Sequence, residues 1–302
     1  MSARVLAATL LDLDRVRLPP PEVSVVLTTY NRADALRETL DTLIRQTFHD
    51  FELIICDDAS KDRTRDVAME YVARDPRIKY HRNEPNLGMP GNLNSGIGRA
   101  TGQFVANVHD GDLYDPTLLE KWRAAMRQSP NVAFVFNQYR HLDETGGVER
   151  ITFEELPSIF PGRRLIEGIY FKRWRFDSPV WGTVMARKAA YEKLGLFDSR
   201  FGFLSDIDMW LRLAEDYEVA YVPEPLITLP SKGTLPRMVK VMKQDNIAAR
   251  MVWEARLRHY RRKRARLAVE AVKHGLFVSL LKAYRFLGGA KAAMLGRQGK
   301  YP

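Results

Sequence analysis

Apolar residues come in two rhythms through residue 112 of this chain. VSVVLTT (23–29), FELIICD (51–57) and GQFVANV (102–108) are short continuous apolar runs. Between them, ALRETLDTLIRQ and TRDVAMEYVARD carry apolar residues every three or four positions. IKYHRN and a helix-like stretch around 90–99 complete the series. Short runs predict strands, and the longer periodic segments predict helices. Asp62 and Thr64 stand where the second helix needs a cap. The alternation predicts an α/β protein with a mainly parallel central sheet flanked by helices.

Beyond Asp112 the pattern changes. Pro116 opens a helix, TLLEKWRAAMRQS, and VAFVFNQYRHL reads as a strand closed by a Glu144-Thr145-Gly146-Gly147 turn. Residues 150–178 have little periodicity and many aromatic and basic side chains, which suits loops or short helices around a cleft. A strand and helix follow in VWGTVMARKAAYEKLG, then SDIDMWLRLAEDY and the strand EVAYVPEPLITL. The expected organisation is a leader over 1–21 ending in Pro19-Pro20-Pro21, two halves of one domain over 22–115 and 116–236, and a helical extension over 237–302.

Composition narrows the class. Of 302 residues, 45% are hydrophobic and 28% charged, as in soluble globular proteins. The lone cysteine, Cys56, lies in the apolar run FELIIC and reads as a buried, inert thiol. No secretory signal and no run of about 18 apolar residues is evident, so the expected location is the cytoplasm. The net charge of +10 is unevenly spread. Residues 237–302 hold 17 Lys/Arg against 3 Asp/Glu, leaving −4 for the rest.

In an open parallel sheet, ligands bind beyond the carboxyl ends of the strands. That places Thr28, Tyr30, Asn31, Asp57 and Asp58 around one ligand, with a second acidic cluster, His109-Asp110-Gly111-Asp112, close by. Tyr30 offers a flat face for a base, and the carboxylates can serve base, ribose and a divalent cation. The inferred ligand is a nucleotide carrying a diphosphate. The plainer readings are an Asx-type turn at Asp57-Asp58 and a solvated turn at DGD. GMPGNLNSGIGRATG fails the dinucleotide fingerprint, because Thr101 stands where the third glycine should. There is no GxxxxGK[ST], no zinc spacing among His and Cys, and no GxSxG.

Five segments in order also resemble the inverting family 2 glycosyltransferases of the GT-A fold: VVLTTYNR, CDDASKDRT, NLGMPGNLNSGI, HDGD before LYDP, and SDIDMWLRL. The resemblance covers roughly residues 22–230. It implies that 22–115 binds the nucleotide sugar and 116–236 the acceptor. Thr28 and Tyr30 would flank the base, Asp58 would accept its ring N–H, and Asp110 would face the ribose. A carboxylate accepting an imide N–H favours uracil or thymine, hence a UDP- or dTDP-sugar, although guanine also has such a donor. Mg²⁺ or Mn²⁺ would sit at Asp112 and Asp110, and Asp206 would be the general base. Three departures stand out. Counted from Pro116, the family's metal-binding aspartate falls at Gly111. Ser205 replaces a glutamate. PSKGTLP lacks a histidine common in relatives, leaving Lys232 as a phosphate contact.

The implied acceptor is a glycan or a lipid-linked sugar. The basic tail, with an apolar stripe of Leu276, Phe277, Leu280, Leu281 and Tyr284, suits an anionic membrane surface or packing on the body. Rival readings are a nucleotidyltransferase of related fold, and a nucleic-acid binder using RRKRAR at 261–266. Nucleic acid is not the expected partner.

Overall fold

The computed structural model describes residues 19–152, 155–167, 180, 182–230 and 247–260. Its first half alternates β1 (Val23–Thr29), α1 (Ala33–Leu43), β2 (Phe51–Asp57), α2 (Thr64–Arg74), β3 (Ile78–Arg82), α3 (Gly88–Arg99) and β4 (Phe104–His109). β1 and β2 are buried at every residue. The reason is visible in how their side chains divide. Val23, Val25 and Leu27 join Leu53 and Ile55 on one face, under α1 and α2. Val26, Ile54 and Cys56 face the other way, onto Leu93 and Ile97 of α3. Alternate residues of a strand point to opposite faces, so a sheet covered on both sides needs unbroken apolar strands.

α3 is glycine-rich because it lies close on the sheet. A Cβ on Gly96 would stand 2.4 Å from Val26 Cγ1 and 2.7 Å from the Cys56 sulfur. Cys56 is buried as expected, and burial pushes its thiol up to about 12. The cap position of α2 is Arg63, with no side-chain cap, and Thr64 is the first helical residue, so neither Asp62 nor Thr64 is the cap. Asp62 supports two helix starts from just outside them: Oδ1 accepts from Thr64 N at 3.0 Å, and Oδ2 accepts from Ala33 N at 3.2 Å.

The second half adds β5 (Leu113–Tyr114), α4 (Leu118–Arg127), β6 (Val132–Leu142), β7 (Val148–Ile151), β8 (Ile159–Pro161), α5 (Gly162–Leu165), β9 (Val184–Arg187) and α6 (Lys188–Leu194). A 3₁₀ turn (Ser199–Leu204), α7 (Ser205–Asp216), β10 (Glu218–Leu229) and α8 (Ile247–Tyr260) complete it. The strand order is β3-β2-β1-β4-β9-β6-β10-β5, with β7 on β6 and β8 on β10. The long ladders, β1 with β2 and β4, β2 with β3, and β6 with β10, are parallel. β9 is short and runs antiparallel between β4 and β6. It stitches the two halves into one sheet and brings its N-terminal approach, Gly182-Thr183, to the carboxyl end of β4. β1 has β2 on one side and β4 on the other, so the strand order reverses there. That is the crevice where such sheets bind ligands.

The one described helix of the C-terminal extension packs on the body. Met251 and Ala255 of α8 are buried. Arg258 pairs with Asp208 of α7 at 2.9 Å. The His259 ring lies between Glu215 at 3.0 Å and Glu167 at 2.7 Å, and those bonds raise its pKa. Among the described residues no helix is long and apolar enough to cross a membrane. The stripe at 276–284, the basic run at 261–266, Lys232 and residues 1–18 lie outside the described residues.

Candidate active site

The polar ends of β1 and β2 divide their work unevenly. Tyr30 projects from the end of β1 and is 47% exposed, a free aromatic face at the crevice. Thr28 is buried, with Oγ1 3.2 Å from His109 Nδ1. Asn31 adopts φ 52 and its side chain accepts from Lys61 N at 2.7 Å, so it shapes the loop. Asp57 is wholly buried and spent inside the fold. It accepts from Ser60 N at 2.9 Å and from the Tyr80 hydroxyl at 2.6 Å. This is the turn role that the plain reading gave it.

Asp58 is also buried, and it holds the start of α3. Oδ1 accepts from Asn83 Nδ2 at 3.0 Å and Leu87 N at 2.8 Å, and Oδ2 accepts from Gly88 N at 2.9 Å. A carboxylate has about four acceptor positions, so roughly one is left for a ligand. Asp58→Ala would strip a partner from three donors. The expected loss of unfolding free energy is about 2 kcal/mol or more, read from urea denaturation. An unchanged midpoint would show that the loop does not depend on this carboxylate.

The acidic cluster after β4 is built around Arg32, whose role the sequence did not announce. Asp110 Oδ1 pairs with Arg32 Nη1 at 2.8 Å, and Oδ2 accepts from the Thr29 hydroxyl at 2.7 Å. Burial nevertheless raises the Asp110 pKa, against the pull of Arg32. Gly111 has φ 89, and a Cβ there would stand 2.7 Å from Arg32 Nη2. The glycine that breaks the family pattern is therefore favoured by its backbone conformation, and a side chain there would also push the Arg32 guanidinium aside. The partly buried Asp112 carboxylate bonds to the side chains of Thr183 and Tyr114. Burial first, and then the charge of Asp110, push it up to about 7.

Asp206 lies in the first turn of α7, and its Oδ1 accepts from Ile207 N at 2.7 Å. It is not the N-cap: Leu204 holds that place with no side-chain cap. Burial pushes the Asp206 carboxyl up to about 7. Two residues on, Asp208 is 1% exposed and held by Arg212 at 2.8 Å and Arg258 at 2.9 Å. It anchors the helix and is sealed from any ligand. The buried Ser205 hydroxyl, at the glutamate position of the sequence pattern, has no hydrogen-bond partner among the described residues.

Gly182 and Thr183 join these clusters. A Cβ on Gly182 would stand 2.6 Å from His109 Nε2 and 3.2 Å from Asp206 Oδ2. Thr183 bonds to Asp112. His109 is driven down to about 4 by burial and by Arg32, so the imidazole is neutral. It also bonds the Gly182 backbone. Sequence reasoning missed Arg32, His109, Gly182 and Thr183 as site residues. The signal for two of them was there, since Arg32 ends VVLTTYNR and His109 opens HDGD.

Comparisons with known proteins show the family of the chain and its fold. The sequence profile of Glycosyl transferase family 2 matches residues 24–195. The chain belongs to that family. EpsE of Bacillus subtilis strain 168, which carries the name of a glycosyltransferase, is 33% identical over 207 residues, covering 65% of this chain and 68% of EpsE. WfgD of Escherichia coli is named a UDP-Glc:alpha-D-GlcNAc-diphosphoundecaprenol beta-1,3-glucosyltransferase. It is 29% identical over 140 residues, 44% of this chain and 54% of WfgD. Among solved structures, S. aureus TarS 1–349 in complex with UDP superposes with a TM-score of 0.58 at 18% identity, over 81% of this chain and 73% of that one. The mannosyltransferase PcManGT from Pyrobaculum calidifontis, in complex with GDP-Man and Mn²⁺, gives 0.58 at 19%, over 86% and 73%. The fold is that of the GT-A glycosyltransferases, and this chain is a glycosyltransferase.

Proposed function

We propose that this enzyme moves a sugar from a UDP- or dTDP-linked donor to a hydroxyl of a glycan or lipid-linked acceptor, with inversion at the anomeric carbon. The observation that carries this reading is the pair of carboxylates beside Gly182-Thr183. Asp112 bonds to Thr183, and Asp206 faces Gly182. One can serve the leaving diphosphate while the other serves the attacking hydroxyl. Asp206 takes the acceptor proton as the oxygen bonds to the anomeric carbon, and the carbon–oxygen bond to the diphosphate breaks. A carboxyl poised near pH 7 suits that transfer.

Tyr30 stacks on the base, the remaining acceptor position of Asp58 takes a ring N–H, and Thr28 lines the base pocket through its bond to His109. Asp110, fixed by Arg32 and Thr29, faces the ribose. Names of similar proteins favour a uridine donor: WfgD acts with UDP-Glc, and TarS was solved with UDP. PcManGT holds GDP-Man, and a guanine would also satisfy Asp58. Calorimetry with UDP, dTDP, GDP and ADP tests the reading. Preference for UDP or dTDP supports it, and equal affinity for all four would remove Asp58 from base recognition.

A divalent cation fits the residues present in one way only. Among the described residues no three His, Cys, Asp or Glu side chains form a protein cage. Asp112 is a partly buried carboxylate crowded by the charge of Asp110, which a cation shared with the donor diphosphate would relieve. Asp110 has its oxygens on Arg32 and Thr29, so Asp112 would be the chief protein ligand. Bound there, Mg²⁺ or Mn²⁺ would offset charge growing on the departing diphosphate. EDTA is expected to abolish transfer and Asp112→Ala to reproduce that loss. Full activity in EDTA would assign the charge compensation to Arg32 instead.

A further inference from the structure

We propose that Phe203 is the floor of an acceptor subsite, and that it holds the apolar face of a carbohydrate ring beside Asp206. The inference deepens the transfer reading above and rests on it. Among the described residues only two aromatic side chains are strongly exposed, Tyr30 at 47% and Phe203 at 46%. Tyr30 stands at the donor crevice. Phe203 stands three positions before the base, on the 3₁₀ turn that leads into α7.

The exposure of Phe203 is built into the backbone. Its neighbours Phe201 and Leu204 are 1% and 2% exposed. Gly202 between them takes φ 51 and ψ −123, which breaks the helical path and turns Phe203 outward. That conformation is open to glycine and costly for other residues. A phenylalanine left 46% exposed also forgoes part of the roughly 1.5–3 kcal/mol that full burial gives. Two such costs at one place, next to a catalytic base, point to a ligand that covers the ring.

The turn is braced so that the ring is held in position. Phe201 lies under the guanidinium groups of Arg200 at 5.3 Å and Arg250 at 5.6 Å. Arg250, from α8, donates to the Arg200 carbonyl at 2.7 Å, and Asp198 accepts from Arg200 N at 2.9 Å. The C-terminal helix thus buttresses the turn that carries Phe203 and leads into Asp206 of α7. The chemistry of the occupant follows. An attacking sugar must present one hydroxyl to Asp206 while its ring is fixed in orientation. A pyranose has a face of C–H groups with partial positive charge, which matches the electron-rich face of an aromatic ring.

The test uses the full chain with UDP. Methyl and octyl glycosides of glucose, galactose, mannose and N-acetylglucosamine serve as probes in saturation-transfer NMR. Saturation should reach the ring C–H protons of at least one sugar, equally in its methyl and octyl forms. Phe203→Ala should lower that signal at least fivefold, Phe203→Trp should keep it, and neither should change UDP affinity or the melting temperature. Binding of octyl forms alone, through the alkyl chain, overturns the proposal, as does an unaltered signal in Phe203→Ala. Absence of any glycoside signal while UDP binds also overturns it and leaves the donor reading intact. Failure to bind any nucleotide would sink the donor reading separately.

Discussion

Asp206→Asn is expected to cut turnover by about a hundredfold or more while leaving nucleotide affinity unchanged, the usual scale for loss of a general base. The same substitution should stabilise the protein at alkaline pH. Burial lifts this carboxyl from its usual 3.8 to about 7. A raised carboxyl pKa means the folded state holds its proton more tightly than the unfolded state. The associated stability is full below about pH 4 and is lost as pH rises through about 7. Asparagine carries no such cost. The melting temperatures of the two proteins should therefore diverge upward from pH 4, with an upper bound of about 4 kcal/mol by pH 8. In the active enzyme, kcat/KM should rise with pH through about 7 and then level off. A rate that is flat from pH 5 to 8, or a variant with near-normal turnover, would remove Asp206 from the chemistry. Asp208 is no substitute, since two arginines hold it out of reach.

How much of this was legible in the sequence depends on what kind of residue is asked about. The strands of the first half were plain, because a sheet covered on both faces demands unbroken apolar runs such as FELIIC. Asp110, Asp112, Tyr30 and Asp206 were legible as candidates because they stand at strand ends or a helix start, where polar residues have little other reason to cluster. What single positions do was less legible. Asp57 and Asp58 look alike in sequence, yet Asp57 is consumed by Ser60 and Tyr80 while Asp58 holds the start of α3. Only three-dimensional hydrogen-bond accounting separates them. Gly111 looked like a weakened metal motif. In the structure it is the seat of Arg32, a contact that spans nearly eighty residues and leaves no local trace. The strand in VMAR was legible, but its antiparallel place between β4 and β6 was not, since four residues carry no sign of the neighbours that they join.

Gly182 is the clearest case of a residue whose importance is purely spatial, and Gly182→Ala should have an effect far beyond one methyl group. That methyl would stand 2.6 Å from His109 Nε2 and 3.2 Å from Asp206 Oδ2. Real carbon atoms do not approach a ring nitrogen so closely, so something must move. His109 is partly buried and tied to both Thr28 and the Gly182 backbone, which leaves it little room. The Asp206 side chain is the freer of the two, held by backbone N–H groups of its own turn. The expected result is a displaced base and a fall in kcat of tenfold to a hundredfold, the order that follows from misplacing a catalytic group by about 1 Å. UDP affinity should change little, because Tyr30 and Asp58 are not touched. If UDP affinity falls instead, through the path from His109 to Thr28, the imidazole is the group that yields. Wild-type kcat together with unchanged affinity would mean that the Gly182-Thr183 segment moves away, and that neither carboxylate depends on it for position.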